Sequence, residues 1–412
     1  MTKARGANVQ RNQRLVMDLP EAAGDSLGLV LGPSHPVLRG SARIVLEVEG
    51  EAIRAVDVQV GLLHRGFEKE AESSPYDQTL LLAERLNYVS PLLSAAGYAL
   101  AVERLLGIEE NIPMRARRLR VVVCELSRIA DHLTCVGATA LSLGASNAFF
   151  LLMDARARLW RLLESLAGPR LGSPYIRLGG VNSDLPDDWV AGFRAFSPGL
   201  RQTVWRVDQL LGENPMFRER TRGVAILAKQ DVQGWGITGP VARASGVLCD
   251  VRKDNPYFGY EDFEFDVPLG DVGDNWDRYC LRMEELRQSL RIAEQAIGRL
   301  ATGPVIVDDP RIVPPAVELR QTQVWAQASL FLLATAGPII HPGEVYSAVE
   351  SANGELGFYL ASDGSARPKK CRVRSPSFAN AAALGPLLTG HFVADVIPTY
   401  CLFNIVGGEC DR

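Results

Sequence analysis

Leu119-Arg120-Val121-Val122-Val123-Cys124-Glu125-Leu126-Ser127-Arg128-Ile129-Ala130-Asp131-His132-Leu133-Thr134-Cys135-Val136-Gly137-Ala138-Thr139-Ala140-Leu141-Ser142-Leu143 is the stretch that decides the fold. Leu119, Val122, Leu126, Ile129, Leu133, Val136, Ala140 and Leu143 recur at alternating steps of three and four, which lines one face of an α-helix with apolar side chains. Helical patterns also run through residues 76–106, 149–167 and 187–211. Met283, Leu286, Leu290, Ala293, Ile297 and Leu300 mark another. Long helices joined by short to moderate connections predict a central bundle. Pro91 interrupts the 76–106 pattern, because proline removes a helical hydrogen bond and disfavours helix just before itself. Arg85-Leu86-Asn87-Tyr88-Val89-Ser90 is therefore expected at an irregular turn where side chains reach a cavity.

On the N-terminal side, Gly32-Pro33-Ser34-His35-Pro36-Val37-Leu38-Arg39-Gly40 reads as a rigid loop entering a strand. Ile44, Leu46 and Val48 alternate with Val45, Glu47 and Glu49, and Glu49-Gly50-Glu51 turns the chain into a β-hairpin ending near residue 60. On the C-terminal side, residues 345–350, 355–361 and 371–374 read as short strands, with Ser362-Asp363-Gly364 as a turn. Residues 244–278, rich in Gly, Pro, Tyr and Asp, read as packed surface loops. The fold class is α+β, mainly α. Its expected parts are a flexible tail (1–25), an N-terminal hairpin region (26–70), a helix bundle (71–305, with an irregular insertion at 214–271) and a C-terminal α+β region (306–412).

The apolar fraction of 47% and charged fraction of 22% place this chain of 412 residues among globular proteins. A formal charge of -4 speaks against a nucleic-acid binder. The first fifteen residues lack the apolar core of a secretory signal. No apolar run reaches membrane-spanning length; residues 325–340, broken by Gly337-Pro338, are expected as a buried helix. The seven cysteines show no CxxC pair and read as buried thiols of a reducing compartment. No GxGxxG or phosphate loop is present.

In order along the chain, the motifs resemble the 49-kDa (D-type) family of the NADH:quinone oxidoreductase, respiratory complex I. Gly-Pro-Ser-His-Pro at 32–36, Gly-Leu-Leu-His-Arg-Gly-Phe-Glu-Lys at 61–69, Arg85-Leu86-Asn87-Tyr88 and Glu125-Leu126-Ser127-Arg128-Ile129 carry the resemblance. So do Tyr175-Ile176-Arg177-Leu178-Gly179-Gly180-Val181, Arg243-Ala244-Ser245-Gly246, Asp250-Val251-Arg252-Lys253, Gly354-Glu355-Leu356-Gly357, Arg374-Ser375-Pro376-Ser377-Phe378 and Asp411-Arg412. The resemblance implies a fold related to nickel–iron hydrogenase large subunits. Hydrogenase chemistry needs four thiolates in two CxxC pairs, whereas the corresponding positions here are Asn87, Ser90, Val406 and Glu409, which rules out nickel on ligand grounds.

The same resemblance implies a quinone headgroup site shared with an adjacent iron–sulfur subunit of the B type. Subunits of the C and membrane H types are further partners, on the cytoplasmic side of the cell membrane as a peripheral component. No cofactor is expected on this chain: the cluster lies on the neighbour, and NADH and flavin lie on other subunits. Tyr88 stands where the family has its quinone-binding tyrosine, the candidate proton donor. His35 reads as a loop imidazole bonded to nearby main chain.

Two departures change the proton chemistry. The family's second loop histidine is Arg39 here, and its aspartate partner on the bundle helix is Ser142. Guanidinium stays charged, so Arg39 can polarise a quinone carbonyl or stabilise a reduced anion but cannot hand over a proton as imidazole does. Near the neighbouring cluster Arg85 is retained, while an expected histidine is Gly172; an expected Asp-Pro is Asn404-Ile405. The alternative function is a mainly structural assembly subunit of a complex I-like or membrane hydrogenase-like particle with a donor other than NADH.

Overall fold

The computed structural model describes residues 26–38, 40–170 and 175–412. The expected tail at 1–25, Arg39 and Gly172 lie outside the described residues. Strand β1 (Leu27–Leu31) pairs antiparallel with β2 (Arg43–Glu49), which turns at Gly50 and Glu51 into antiparallel β3 (Ala52–Gln59). The expected hairpin is thus the last two strands of a three-stranded sheet. Ile44, Leu46 and Val48 are its buried face, as their alternation requires.

Helices α1 (Phe67–Ser73) and α2 (Tyr76–Ala83) lead to the turn at 84–90. Pro91 then starts α3 (Pro91–Leu106), at the helix position where its missing N–H costs nothing. The apolar stripe becomes α4 (Met114–Ser142), flanked by α5 (Ser146–Ala167), α7 (Asn275–Gly298) and α10 (Val393–Phe403). Between them come β4 (Ile176–Arg177), β5 (Gly180–Val181) and α6 (Trp189–Val207), which packs on α5. Later come α8 (Val324–Thr335), the antiparallel sheet β6 (Gly343–Ser351), β7 (Gly354–Ser362) and β8 (Lys370–Arg374), then α9 (Pro376–Leu388) and, after α10, α11 (Gly407–Cys410).

Two apolar cores result. The larger joins the bundle to the C-terminal sheet, with α3 pressed on β6 and β7: Tyr98 meets Phe358 edge-on at 5.7 Å. The second joins Leu38, Ile44, Leu46, Val48 and Ile53 to Leu384 and Leu388 of α9 and Val396, Tyr400 and Phe403 of α10. The C-terminal region is therefore divided: its sheet packs on the bundle, whereas α9 and α10 pack on the N-terminal sheet, α10 touching α4 and α7 as well.

Three expectations need correcting. Residues 244–278 are not surface loops, because Arg243, Asp250 and Arg252 just before and within them are buried, as are Tyr257, Phe258, Tyr260 and Phe263. Arg243 bonds Glu285 of α7 and Glu350 of β6 (2.8 Å), Arg252 bonds Asp250 (2.6 Å) and Glu125 of α4 (3.2 Å), and Tyr260 donates to Glu125 (2.7 Å). A polar, irregular segment can be buried when the bundle supplies its counter-charges. Secondly, α8 is present but not buried: Val324, Trp325, Phe331 and Leu332 are 81, 58, 66 and 60% exposed. It is apolar on every side, so its composition could not tell a core position from an uncovered surface. Thirdly, five cysteines are buried, but Cys249 is half-buried and Cys280 exposed.

Removing one partner from such a network leaves the others charged and dry, so Arg243→Met is expected to cost about 3–5 kcal/mol of unfolding free energy. Denaturant titration checks it. The network also has a pH sense. Burial raises the Asp250 carboxyl, but Arg252 and Arg243 outweigh it and hold it at about 2. Burial likewise opposes ionisation of Glu285, and Arg243 and His132 overcome it. Burial pushes the His132 imidazole down from its usual 6.5, against the pull of Glu285. Each of these folded groups binds its proton less readily than the unfolded chain does, so their stabilisation is complete above the unfolded values and lost on acidification. The contribution of these three groups to the melting temperature is expected to fall below about pH 6.5, first through His132 and then, near about pH 4, through the carboxylates, while Glu350 and Glu409, held above the usual carboxylate range by burial, act in the opposite sense. His132→Gln should remove the upper part of that decline.

Candidate functional site

The two cores meet along a seam, and Tyr88 stands in it. Val37, Leu38 and Ser41 approach from the proline loop, Tyr88 and Val89 from the turn before α3, Thr134, Cys135 and Ala138 from α4, and Tyr400 to Val406 from the end of α10. The cavity they enclose is about 30 Å³, the share of one water molecule. Ser41 Oγ donates to the Leu38 carbonyl and so accepts from the Tyr400 hydroxyl at 2.7 Å. Burial pushes the Tyr400 phenol above its usual range; the Ser41 bond opposes this and Tyr88 nearby adds to it. Cys135 Sγ lies 3.1 Å from the Cys401 carbonyl in the same wall.

The proline loop is closed by Gly40 N donating to the Pro33 carbonyl (3.0 Å) and Ser41 N to that of Leu38 (2.8 Å). Val37 N donates to His35 Nδ1 at 3.2 Å, so that nitrogen is an acceptor. Ser142 does not line the Tyr88 cavity; its hydroxyl donates to the Thr139 carbonyl at 2.8 Å, one helical turn beyond Ala138. Arg85 lines a different cavity of about 120 Å³, with Arg65, Glu70 and Arg412 around it. Asp411 forms part of that wall and ties the motif at 61–69 to the C-terminal residues, accepting from Gly61 N (2.7 Å) and Leu63 N (2.8 Å).

Behind the cavity lies a polar cluster centred on Asp131. Asn87 Oδ1 accepts from Val89 N and Ser90 N, both at 3.1 Å, which fixes the Tyr88 turn. Ser90 Oγ donates to Asp131 of α4 at 2.7 Å, and the Asn404 amide donates to Asp131 and, at 2.6 Å, to Asn353. Asn404, expected as aspartate from the family pattern, thus serves as a donor to a carboxylate on another helix. Gly408, in the wall of the Arg85 cavity, packs against the start of the same turn: a Cβ there would lie 2.8 Å from the Arg85 carbonyl oxygen and 2.9 Å from that of Leu86. No group of three His, Cys, Asp or Glu side chains suited to a metal ion occurs among the described residues.

Sequence reasoning missed Tyr400, the second phenol in the seam, and Asp131. Neither sits in a motif with its own chemistry.

Comparison with known proteins finds relatives that match nearly the whole chain. The family model for the respiratory-chain NADH dehydrogenase 49 Kd subunit matches residues 142–412. The NADH-quinone oxidoreductase D 1 subunit of Sorangium cellulosum is 44% identical over 397 residues, 96% of this chain and 97% of that protein. The NADH-quinone oxidoreductase D subunit of Pelobacter propionicus is 43% identical (93% and 94% covered) and that of Methylacidiphilum infernorum 41% (98% and 96%). The chain belongs to the 49 kDa subunit family of the respiratory-chain NADH dehydrogenase.

Proposed function

We propose that this chain is the D-type quinone-module component of a complex I-type NADH:quinone oxidoreductase, with the quinone headgroup docking at the mouth of the Tyr88 cavity against an iron–sulfur subunit. The observation that carries this reading is the seam itself: two phenols, Tyr88 and Tyr400, meet in a cavity of about 30 Å³. A headgroup ring cannot fit in so small a space, so a site here must be completed by a second surface. A fold related to hydrogenase large subunits, with the cluster carried by a neighbouring subunit, suits that arrangement.

Quinone reduction takes two electrons and two protons. The electrons would come from the neighbour's cluster, supplied in turn by NADH and flavin on other subunits, and this chain supplies hydrogen-bond donors. The Tyr88 hydroxyl donates to one quinone oxygen. Arg39 stabilises negative charge on the other without giving up a proton, and Ser142 carries no charge to hold it. Loss of both titratable partners shifts protonation to other groups. Arg85, in its separate cavity, faces the cluster side.

No helix among the described residues is long and apolar enough to cross a membrane, and the chain is read as a peripheral subunit on the cytoplasmic side. Partners of the B, C and membrane H types provide cover for α8, whose neighbourhood, residues 321–343, has no Asp, Glu, Lys or Arg. Depletion of charge in an exposed apolar patch is typical of an interface centre.

Tyr88→Phe in the assembled complex is expected to lower turnover of a short-chain ubiquinone by about a hundredfold. Electron transfer from NADH to a soluble artificial acceptor should stay intact; unchanged quinone turnover would leave the assembly-scaffold reading. Arg39→His should add to the quinone-reduction profile an ionisation near about pH 6.5. Phe331→Glu with Leu332→Glu should leave the melting temperature of the isolated chain in place but reduce its incorporation into the complex, measured by native electrophoresis.

A further inference from the structure

Two carboxyls, Asp131 and Glu409, lie fully buried behind the Tyr88 cavity, and their surroundings differ. Asp131 accepts from Ser90 Oγ, from the Asn404 amide and, at 3.5 Å, from the Asn87 amide. Three donors and no acceptor suit an ionised carboxylate. Glu409 is bonded by a single residue, Ser377, whose hydroxyl donates to Oε2 and whose backbone N–H also acts on the carboxyl, while its Oε1 has no hydrogen-bond partner. Ser377 accepts from Val406 N at 3.2 Å, so its hydroxyl proton is committed to Glu409. An anion would be left half-solvated there, whereas a neutral carboxylic acid loses little.

Resting on the reading that the headgroup docks at Tyr88, we propose that Asp131 and Glu409 hold one exchangeable proton, carried by Glu409, whose occupancy follows the charge in the Tyr88 cavity. Asn404 and Val406 belong to both places: they line the cavity, and one bonds Asp131 while the other bonds the serine that holds Glu409. The charged groups acting on Glu409 are Asp131 on α4 and Arg374 at the end of β8. Arg374 is engaged elsewhere, donating to Thr238 Oγ1 and the Glu355 and Gly236 carbonyls at 2.6–2.9 Å. Burial, opposed by the Ser377 bond and reinforced by Asp131, pushes the Glu409 carboxyl up to about 7. Negative charge on a reduced quinone would raise its proton affinity further, so uptake of a proton at Glu409 compensates the arriving electron. Glu409 is thus a positioning residue for charge: no bond to the quinone forms or breaks there.

The test is difference infrared spectroscopy on the assembled complex, titrated from about pH 6 to about pH 8 and repeated on chemical reduction with a short-chain ubiquinone bound. The parent complex is expected to show a carboxylic-acid carbonyl band that fades as pH rises and grows on reduction. Glu409→Gln should abolish that band and flatten the pH profile of quinone turnover between these limits. Asn404→Asp, which sets a further carboxyl against Asp131 and guards against misfolding of the first variant, should move the midpoint up by about one pH unit. A band that persists in Glu409→Gln, or a midpoint that Asn404→Asp leaves in place, would overturn the proposal. Tyr88→Phe separates the two readings: normal quinone turnover in that variant removes the headgroup site, whereas lost turnover with the pH-dependent band retained supports both.

Discussion

Arg243 is the residue on which the rest of the structure depends. Its guanidinium, fully buried, spans Glu285 on α7 and Glu350 on β6 and also reaches the Cys249 carbonyl. Through Asp250, Arg252, Glu125 and Arg128 the same network continues to α4 and, by way of the Ser351 and Glu350 carbonyls, back to the C-terminal sheet. His132 links it to Arg282 of α7: Nδ1 faces the guanidinium at 3.1 Å, which can only donate, so Nε2 carries the proton and faces Glu285 at 2.8 Å. Burying so many charges is costly unless every one finds its partners. The bundle, the irregular segment and the C-terminal sheet are therefore constrained to a single mutual placement.

That constraint reaches the seam. Asp131 and His132 are successive residues of α4, one facing the cluster behind Tyr88 and the other facing the ion network. A helix pinned on one side by the network cannot slide on the other, so the Tyr88 turn receives Asp131 at a set position. On the opposite wall, β3 holds the loop before α10 through Ile53 N to the His391 carbonyl (2.8 Å) and Val393 N to that of Glu51 (3.0 Å). The seam is a place where two independently packed cores are brought to register.

Much of this was legible in residue order. The three-and-four spacing along α4 predicts a helix because only that period buries all its leucines and valines together, and each of them up to Ala140 is buried. Alternation at 44–48 marks the hairpin for the same reason, and Pro91 marks the turn that presents Tyr88. What was not legible has a common physical cause. The burial of Arg243 and Arg252 and the exposure of α8 depend on counter-charges or cover supplied from distant segments, which a local pattern does not encode. Arginine in a Gly- and Pro-rich segment looks solvated until Glu125, Glu285 and Glu350 arrive around it.

Sequence alone determined the helices α2 to α8 but not α9 to α11, the hairpin strands, the family, and the absence of the thiolates that nickel requires, because each follows from residue type at fixed spacing. It also placed Tyr88, Arg85 and the altered pair Arg39 and Ser142 in motif positions. Only the tertiary structure decided that Tyr400 faces the same cavity as Tyr88, that Arg85 faces another, and that Asn404 serves Asp131 as a donor. It alone brought Glu409 into a dry corner where Ser377 is its one hydrogen-bonding residue and Oε1 has no partner. Those outcomes depend on distances between residues hundreds of positions apart, and burial turns an ordinary carboxyl into one that titrates near neutrality only when the folded surroundings withhold its partners.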